Sequence, residues 1–246
     1  MRALAAALVL ILLATGSAGA AGTLRVATSA DYPPFNYFDE EGRLAGFDID
    51  IARTLCAEME VQCLFIQREW ALLIPALLAG EFDAIAASLS ITEKRRRIVG
   101  FTDHYYRNAS HFVTREGSDF DPKWPEGKTI GAVRATIASD WLEENVAGIA
   151  TVRLYRGQTE LLQALVNGHV DAVFGDILGL HAWLSTFEDA KFRFIGEGVH
   201  LDEGIGIAVR HQDEALRLRL NGALRALITN GIYRRINARY FPFSIH

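Results

Sequence analysis

Short apolar runs of strand length alternate with helical patterns along most of the chain, and that rhythm restricts the fold to an α/β architecture built on parallel sheets. Leu24–Thr28 precedes a helical pattern over Phe47–Met59, Val61–Gln67 precedes Trp70–Ala79, and Phe82–Ala87 precedes a helix opened near Ser90. A second set follows: Lys128–Val133 before Thr136–Asn145, Thr151–Tyr155 before Gln158–Asn167, and Val170–Phe174 before Ile177–Ser185. Lys191–Ile195 and Gly204–Val209 read as later strands, with Glu214–Thr229 and Tyr233–Tyr240 as closing helices. The two sets repeat one design. Gly80-Glu81-Phe82-Asp83-Ala84 and Gly168-His169-Val170-Asp171-Ala172 each end a helix on glycine and enter a strand through an acid-Ala step. Between the sets, the polar stretch Arg115–Gly127, with Pro122 and Pro125, reads as a connection between lobes.

The N-terminus has its own logic. Met1-Arg2, the apolar Ala3–Ala14 and the small residues Ser17-Ala18-Gly19-Ala20 form the three zones of a secretory signal peptide, cleaved after Ala20 or Ala21. No other apolar run approaches membrane-spanning length, so the exported chain is expected to lie free in a periplasm, without membrane insertion or a lipid anchor. The 246 residues suffice for two small domains or one large one. One of the 25 Lys and Arg residues is Arg2, so the mature chain sets 24 bases against 30 acids, a net charge of −6 that argues against a nucleic-acid partner. Seven scattered His residues form no ligand-spaced cluster, so no metal is expected. Gly204-Ile205-Gly206-Ile207-Ala208 lacks the third glycine and following helix of a dinucleotide loop, and reads instead as a strand whose glycines admit close backbone approach. No cofactor is implied.

The stretch with most chemical content is Ser88-Leu89-Ser90-Ile91-Thr92-Glu93-Lys94-Arg95. Phe82–Ala87 delivers it as a buried strand would, and Ser90 stands three residues before Glu93, the capping-box spacing. A helix N-terminus there offers unpaired N–H groups to an anion, and an Arg on its first turn adds a planar fork that matches a carboxylate. Lys94-Arg95-Arg96-Arg97 taken alone reads as a solvated helix face, and nothing local singles out Arg95.

Taken in order, Gly46-Phe47-Asp48-Ile49-Asp50, Leu73-Ile74-Pro75-Ala76-Leu77, Phe82-Asp83-Ala84 and Ser88–Arg95 closely resemble the periplasmic polar and basic amino-acid-binding proteins of ABC importers, solute-binding protein family 3. The resemblance spans Thr23 to Phe241. It implies a type II periplasmic binding protein fold, with residues 22–110 and 206–246 in one lobe and 111–205 in the other. Two strands, at His111–Thr114 and Gly204–Ala208, would cross between the lobes as a hinge. It also implies a ligand-binding set: Arg95 on the α-carboxylate of a free amino acid with Ser90 and Thr92 beside it, and Asp176 on the α-ammonium with Ser88. Thr136 would close over the carboxylate from the second lobe, and Tyr32 and Trp70 would wall the side chain. Relatives carry a structural bridge where this chain has Cys56 and Cys63; in an oxidising compartment these two, the only cysteines, are expected to pair, with no catalytic part.

Each residue also has a plainer reading: Asp176 as an N-cap for the following helix, Tyr32 and Trp70 as ordinary core. The chain departs from the family as well. Ser29 stands where relatives that prefer cationic side chains often have an acid, and Ala135 and Ile137 replace a common Gly and Thr around Thr136. Arg134 beside them could answer an acidic or opine-like substituent. The expectation is therefore a monomeric receptor for a basic amino acid (arginine, lysine, ornithine or histidine) that serves a membrane permease. The competing class is an enzyme on the same fold, such as a cyclohexadienyl dehydratase, which would need added acid and base groups. A sensor module is a third reading, without an output domain to support it.

Overall fold

In the computed structural model, residues 22–186 and 192–246 are described. The signal-peptide reading at 1–21, and Lys191 at the start of one predicted strand, lie outside the described residues. The elements in chain order are β1 (Thr23–Thr28), β2 (Asp31–Tyr32), β3 (Asn36–Phe38), β4 (Leu44–Ala45), α1 (Phe47–Glu58), β5 (Gln62–Gln67), α2 (Leu73–Leu78), β6 (Ala84–Ile85), α3 (Glu93–Arg96) and β7 (Gly100–Phe101). Then follow β8 (Ser110–Arg115), β9 (Thr129–Val133), α4 (Ile137–Asn145), β10 (Thr151–Tyr155), α5 (Gln158–Val166), β11 (Ala172–Asp176), α6 (Ile177–Leu184), β12 (Phe192–Val199), β13 (Ala208–Val209), α7 (Glu214–Thr229) and α8 (Ile232–Tyr240).

Two five-stranded sheets result, ordered β5-β1-β6-β13-β7 and β10-β9-β11-β8-β12. Each pairs its first three strands in parallel, then adds one strand running the opposite way (β13, β8) and an outer strand antiparallel to that one, so the repeated design read from the sequence is repeated in topology as well. Successive side chains of a buried strand serve opposite layers. Val26 therefore packs with Phe47, Leu55 and Leu224 on the α1/α7/α8 side, while Ala27 packs with Leu73, Leu77 and Ile85 on the other. In the second sheet Phe174 joins Ile130 and Leu142, and Val173 joins Leu161 and Leu180. The small sheet β2-β3-β4 hangs from the first lobe.

The crossings differ from expectation. His111–Thr114 lie within β8 and pair along the second sheet, so the chain passes between lobes just before it, at residues 107–109. It returns at 200–204. Tyr106 bridges Ile205 at the first-lobe end of these segments and Ser110 pairs with Val199 at the other, which ties the two passages together. The polar stretch Arg115–Gly127 connects β8 to β9, both in the second sheet, and does not join the lobes; its Phe120 is buried in the second core. Of Gly204–Val209 only Ala208–Val209 is strand, because Gly204 turns to φ 114° and Ile205 makes isolated bridges. Gly206 does admit a close approach, since a Cβ there would lie 2.9 Å from Ile91 Cδ1.

Cys56, near the end of α1, is bonded to Cys63 in β5 with Cα atoms 5.8 Å apart.

Candidate functional site

The first lobe presents its polar groups at the ends of β1, β5 and β6. Ser29 and Ala30 follow β1, Glu69 and Trp70 follow β5, and Ser88 and Ser90 follow β6. The second lobe answers with the β9–α4 turn, the N-terminus of α5 and the end of β11. Between them lies a cavity of about 350 Å³. Seven of the eight residues of the predicted set, Tyr32, Trp70, Ser88, Ser90, Arg95, Thr136 and Asp176, line it, and Thr92 does not.

Arg95 sits on the first turn of a helix that does not start where the spacing placed it. Thr92, extended at φ −129°, is the N-cap and its Oγ1 accepts the Arg95 N–H at 3.2 Å. Ser90 is drawn away by its antiparallel bridge to Ile205 and takes no part in the cap. The helix has only four residues, so the Arg95 guanidinium folds back over the strand end. There Nη1 donates to Ser90 O at 3.0 Å and Nη2 to Ala135 O of the second lobe at 3.2 Å, with the Trp70 ring 5.6 Å away. No carboxylate among the described residues lies within ion-pair distance of it. Burial pulls its pKa down to about 10, opposed by Asp140, Asp176 and Asp202.

Asp176 ends β11 and occupies the N-cap position of α6, yet its side chain makes no capping bond. Tyr32 Oη, from the first lobe, donates to its Oδ2 at 3.0 Å. Burial pushes the Asp176 carboxyl up to about 6, against the pull of the Tyr32 hydrogen bond. Thr136 is a true N-cap: its Oγ1 accepts Ser139 N–H at 3.1 Å, and Ser139 Oγ accepts the Thr136 N–H in return. The N-terminus of α4 is thereby aimed at the cavity, on the side where Arg95 stands. Trp70 opens a 3₁₀ turn, Trp70–Leu72, ahead of α2; its Nε1 donates to Ala135 O at 3.1 Å. The long helix expected over Trp70–Ala79 is therefore a short turn followed by a six-residue helix with Pro75 in its first turn, where a missing N–H costs nothing.

Several cavity groups escaped the sequence reading. Asp31, from β2, reaches across to the hydroxyl of Thr159 on α5, and Gly157 makes room for it, since a Cβ there would lie 2.0 Å from Asp31 Oδ2. Glu69 pairs with Arg134 from the opposite lobe. Below the floor, fully buried Asp48 accepts from Tyr105 Oη at 2.6 Å and from Ser88 Oγ and Asn36 Nδ2, both at 2.8 Å. Asp202 accepts the Gly204 N–H at 2.9 Å, and its raised pKa reflects burial, tempered by the Ser90 hydroxyl. Asp48 lies in the quoted Gly46–Asp50 motif, but its partners stand 12, 40 and 57 residues away, which no local pattern announces. Among the described residues there is no group of three or more His, Cys, Asp or Glu placed to hold a metal ion, and no helix long and apolar enough to cross a membrane.

The arrangement offers an anion site and a cation site on opposite walls of one cleft, which suits a zwitterion. The comparisons agree with that geometry. Residues 24–243 match the family model of bacterial extracellular solute-binding proteins, family 3. The L-arginine-binding protein of Pseudomonas aeruginosa is 39% identical, over 99% of this chain and 97% of that protein. The histidine-binding periplasmic protein of Escherichia coli is 34% identical, over 91% and 89%. A solved ancestral arginine-binding protein bound to arginine superimposes with a TM-score of 0.86 at 31% identity, covering 90% of this chain and 99% of that one. These relatives are binding proteins rather than enzymes, and their structures share the two-lobed type II fold. The chain belongs to the bacterial extracellular solute-binding proteins of family 3.

Proposed function

We propose that this receptor captures a basic L-amino acid, arginine ahead of lysine, ornithine or histidine, in the periplasm and delivers it as a monomer to the permease of an ABC importer. The observation that carries the reading is the pairing of Arg95 and Asp176 on opposite lobes around one cavity, each held by protein partners that leave charge for a ligand. In this reading the lobes are residues 22–106 with 205–246 and residues 110–199, shifted from the expected bounds because Ser110 pairs within the second sheet and Ile205 lies in the first core. Arg95, Ser90, Thr92 and the α4 N-terminus at Thr136 hold the α-carboxylate, and Asp176 and Ser88 hold the α-ammonium. Tyr32 and Trp70 wall the side chain, with Asp31 adding negative charge nearby while Glu69 is paired with Arg134. The arginine-binding activity of the relatives supports arginine as the first ligand to try. Titration calorimetry of protein stripped of ligand by unfolding and refolding tests this. Micromolar or tighter binding of arginine is expected, and binding of no α-amino acid at all would remove the proposal.

A further inference from the structure

The buried network under the cleft fixes which way two hydroxyl groups point. Asp48, fully buried, can only accept while ionised, and Asn36 Nδ2 can only donate to it. That contact orients the Asn36 amide, and the Ala30 N–H donating to Asn36 Oδ1 at 2.9 Å confirms the orientation. Asn36 Oδ1 must then accept the Ser29 hydroxyl proton, at 2.8 Å. Ser88 gives its single hydroxyl proton to Asp48 directly. Both serines line the cavity, and each arrives there with its proton already committed.

We infer that Asp48 is a positioning residue that sets the hydrogen-bond polarity of the cleft floor, taking the Ser88 proton directly and the Ser29 proton through Asn36, so that both oxygens face the ligand as acceptors only. A ligand atom that meets them must be a donor. The inference rests on the amino-acid reading above and deepens it: Ser88 serves the α-ammonium, and Ser29 serves an N–H donor on the side chain. Ser29 belongs to the acidic side of the cavity, for its carbonyl accepts Gln67 Nε2 at 3.2 Å at the end of the strand that leads to Glu69, and Asp31 stands two residues on. The same network holds the backbone where it is least comfortable. Ala30 and Ser88 sit at φ 60° and 55°, in the left-handed region, each anchored by a bond to Asn36 or Asp48.

Arginine and citrulline differ in this respect at one place, where citrulline carries a carbonyl oxygen and arginine an N–H donor. The two also differ in charge, so calorimetry against the stripped full chain reads the polarity from how their affinity ratio changes between wild type and a variant that alters no charge. Wild type is expected to prefer arginine. Asp48→Leu, which unlike Asn keeps no acceptor where the Ser88 hydroxyl and Asn36 Nδ2 meet Oδ2, is expected to weaken arginine at least about tenfold and to narrow the arginine-to-citrulline ratio, but not to narrow it further in a Ser29→Ala background, where a mere loss of charge still would. A merely structural role would weaken both ligands by the same factor, and an unchanged ratio overturns the inference. Ser29→Ala leaves Asp48 and every charge in place and is expected to narrow the ratio with little change for citrulline; it decides the matter if Asp48→Leu does not fold. A wild-type preference for citrulline also overturns it. Failure of wild type to bind arginine would instead defeat the parent reading, whereas arginine binding with unaltered ratios in both variants defeats only this step.

Discussion

At the residue scale, the proposed reading gives the site to one arginine in a run of three, and its neighbour shows the contrast. Arg96 points outward to Glu203, 2.9 Å away, and both side chains are about half exposed. Such a pair contributes little. Arg95→Ala is expected to lower ligand affinity at least about 100-fold, because the carboxylate loses two charge-assisted bonds in a poorly hydrated cleft. Arg96→Ala is expected to leave affinity within about threefold; calorimetry on the two variants checks the contrast. Asp176 supplies a pH signature. With its pKa raised to about 6, it is partly protonated below that pH, and a bound ammonium favours the ionised form. The association constant should therefore rise with pH between about 5 and 7 and level off above. The linked stability runs the other way: the raised pKa stabilises the ligand-free fold below the unfolded carboxylate range, and that contribution is lost as pH rises through about 6. Binding isotherms and melting curves from pH 5 to 8 read both slopes. The places of Arg95, Thr136 and Asp176 after strand ends were legible from the apolar runs, whereas their roles came only from the resemblance, since nothing local singles out Arg95 from its neighbours. Asp48 and the Asp31–Thr159 contact were not legible, because their meaning lies in partners supplied by distant turns.

At the element scale, the βα rhythm announced the helices and the strands of both βα sets but not the short β2, β3, β4 and β7, and errors gathered where tertiary contacts outbid local chemistry. Ser90 has a sound capping-box spacing, but the bridge to Ile205 claims its backbone and leaves the cap to Thr92. The 115–127 stretch has the composition of a linker, yet Phe120 anchors it to the second core. Neither outcome could be read from a window of ten residues. The Cys56–Cys63 bond joins α1 to β5 on the side of the first sheet away from the cleft's polar turns. Closing a loop of seven residues is worth about 2–3 kcal/mol through the unfolded chain. Reduction, or replacement of both cysteines by Ser, is expected to lower unfolding stability by that amount in a denaturant titration while leaving ligand affinity unchanged.

At the scale of the whole molecule, the lobes meet through side chains that plug into glycines. Asp31 fills the space over Gly157, and the Tyr32 ring covers Gly179, where a Cβ would lie 2.5 Å from Cε2. Gly157→Ala is expected to hold the lobes apart and to reduce affinity about tenfold or more. Small-angle scattering should show wild type contracting on ligand addition and the variant contracting less; equal contraction would count against this account of closure. The exposed Lys94–Asp140 pair, 2.7 Å long, spans the same gap but adds little, so closure is driven by the ligand's differential contacts and not by the rim. One cross-lobe bond has an optical consequence. The Trp70 indole N–H donates to Ala135 O across the cleft, a bond that parting the lobes would break, and the ring lies against the Arg95 guanidinium. Its emission must therefore change wavelength or intensity as the cleft shuts, which gives the protein an intrinsic fluorescent reporter of its own occupancy, one that Trp70→Phe would silence while keeping an aromatic wall in place.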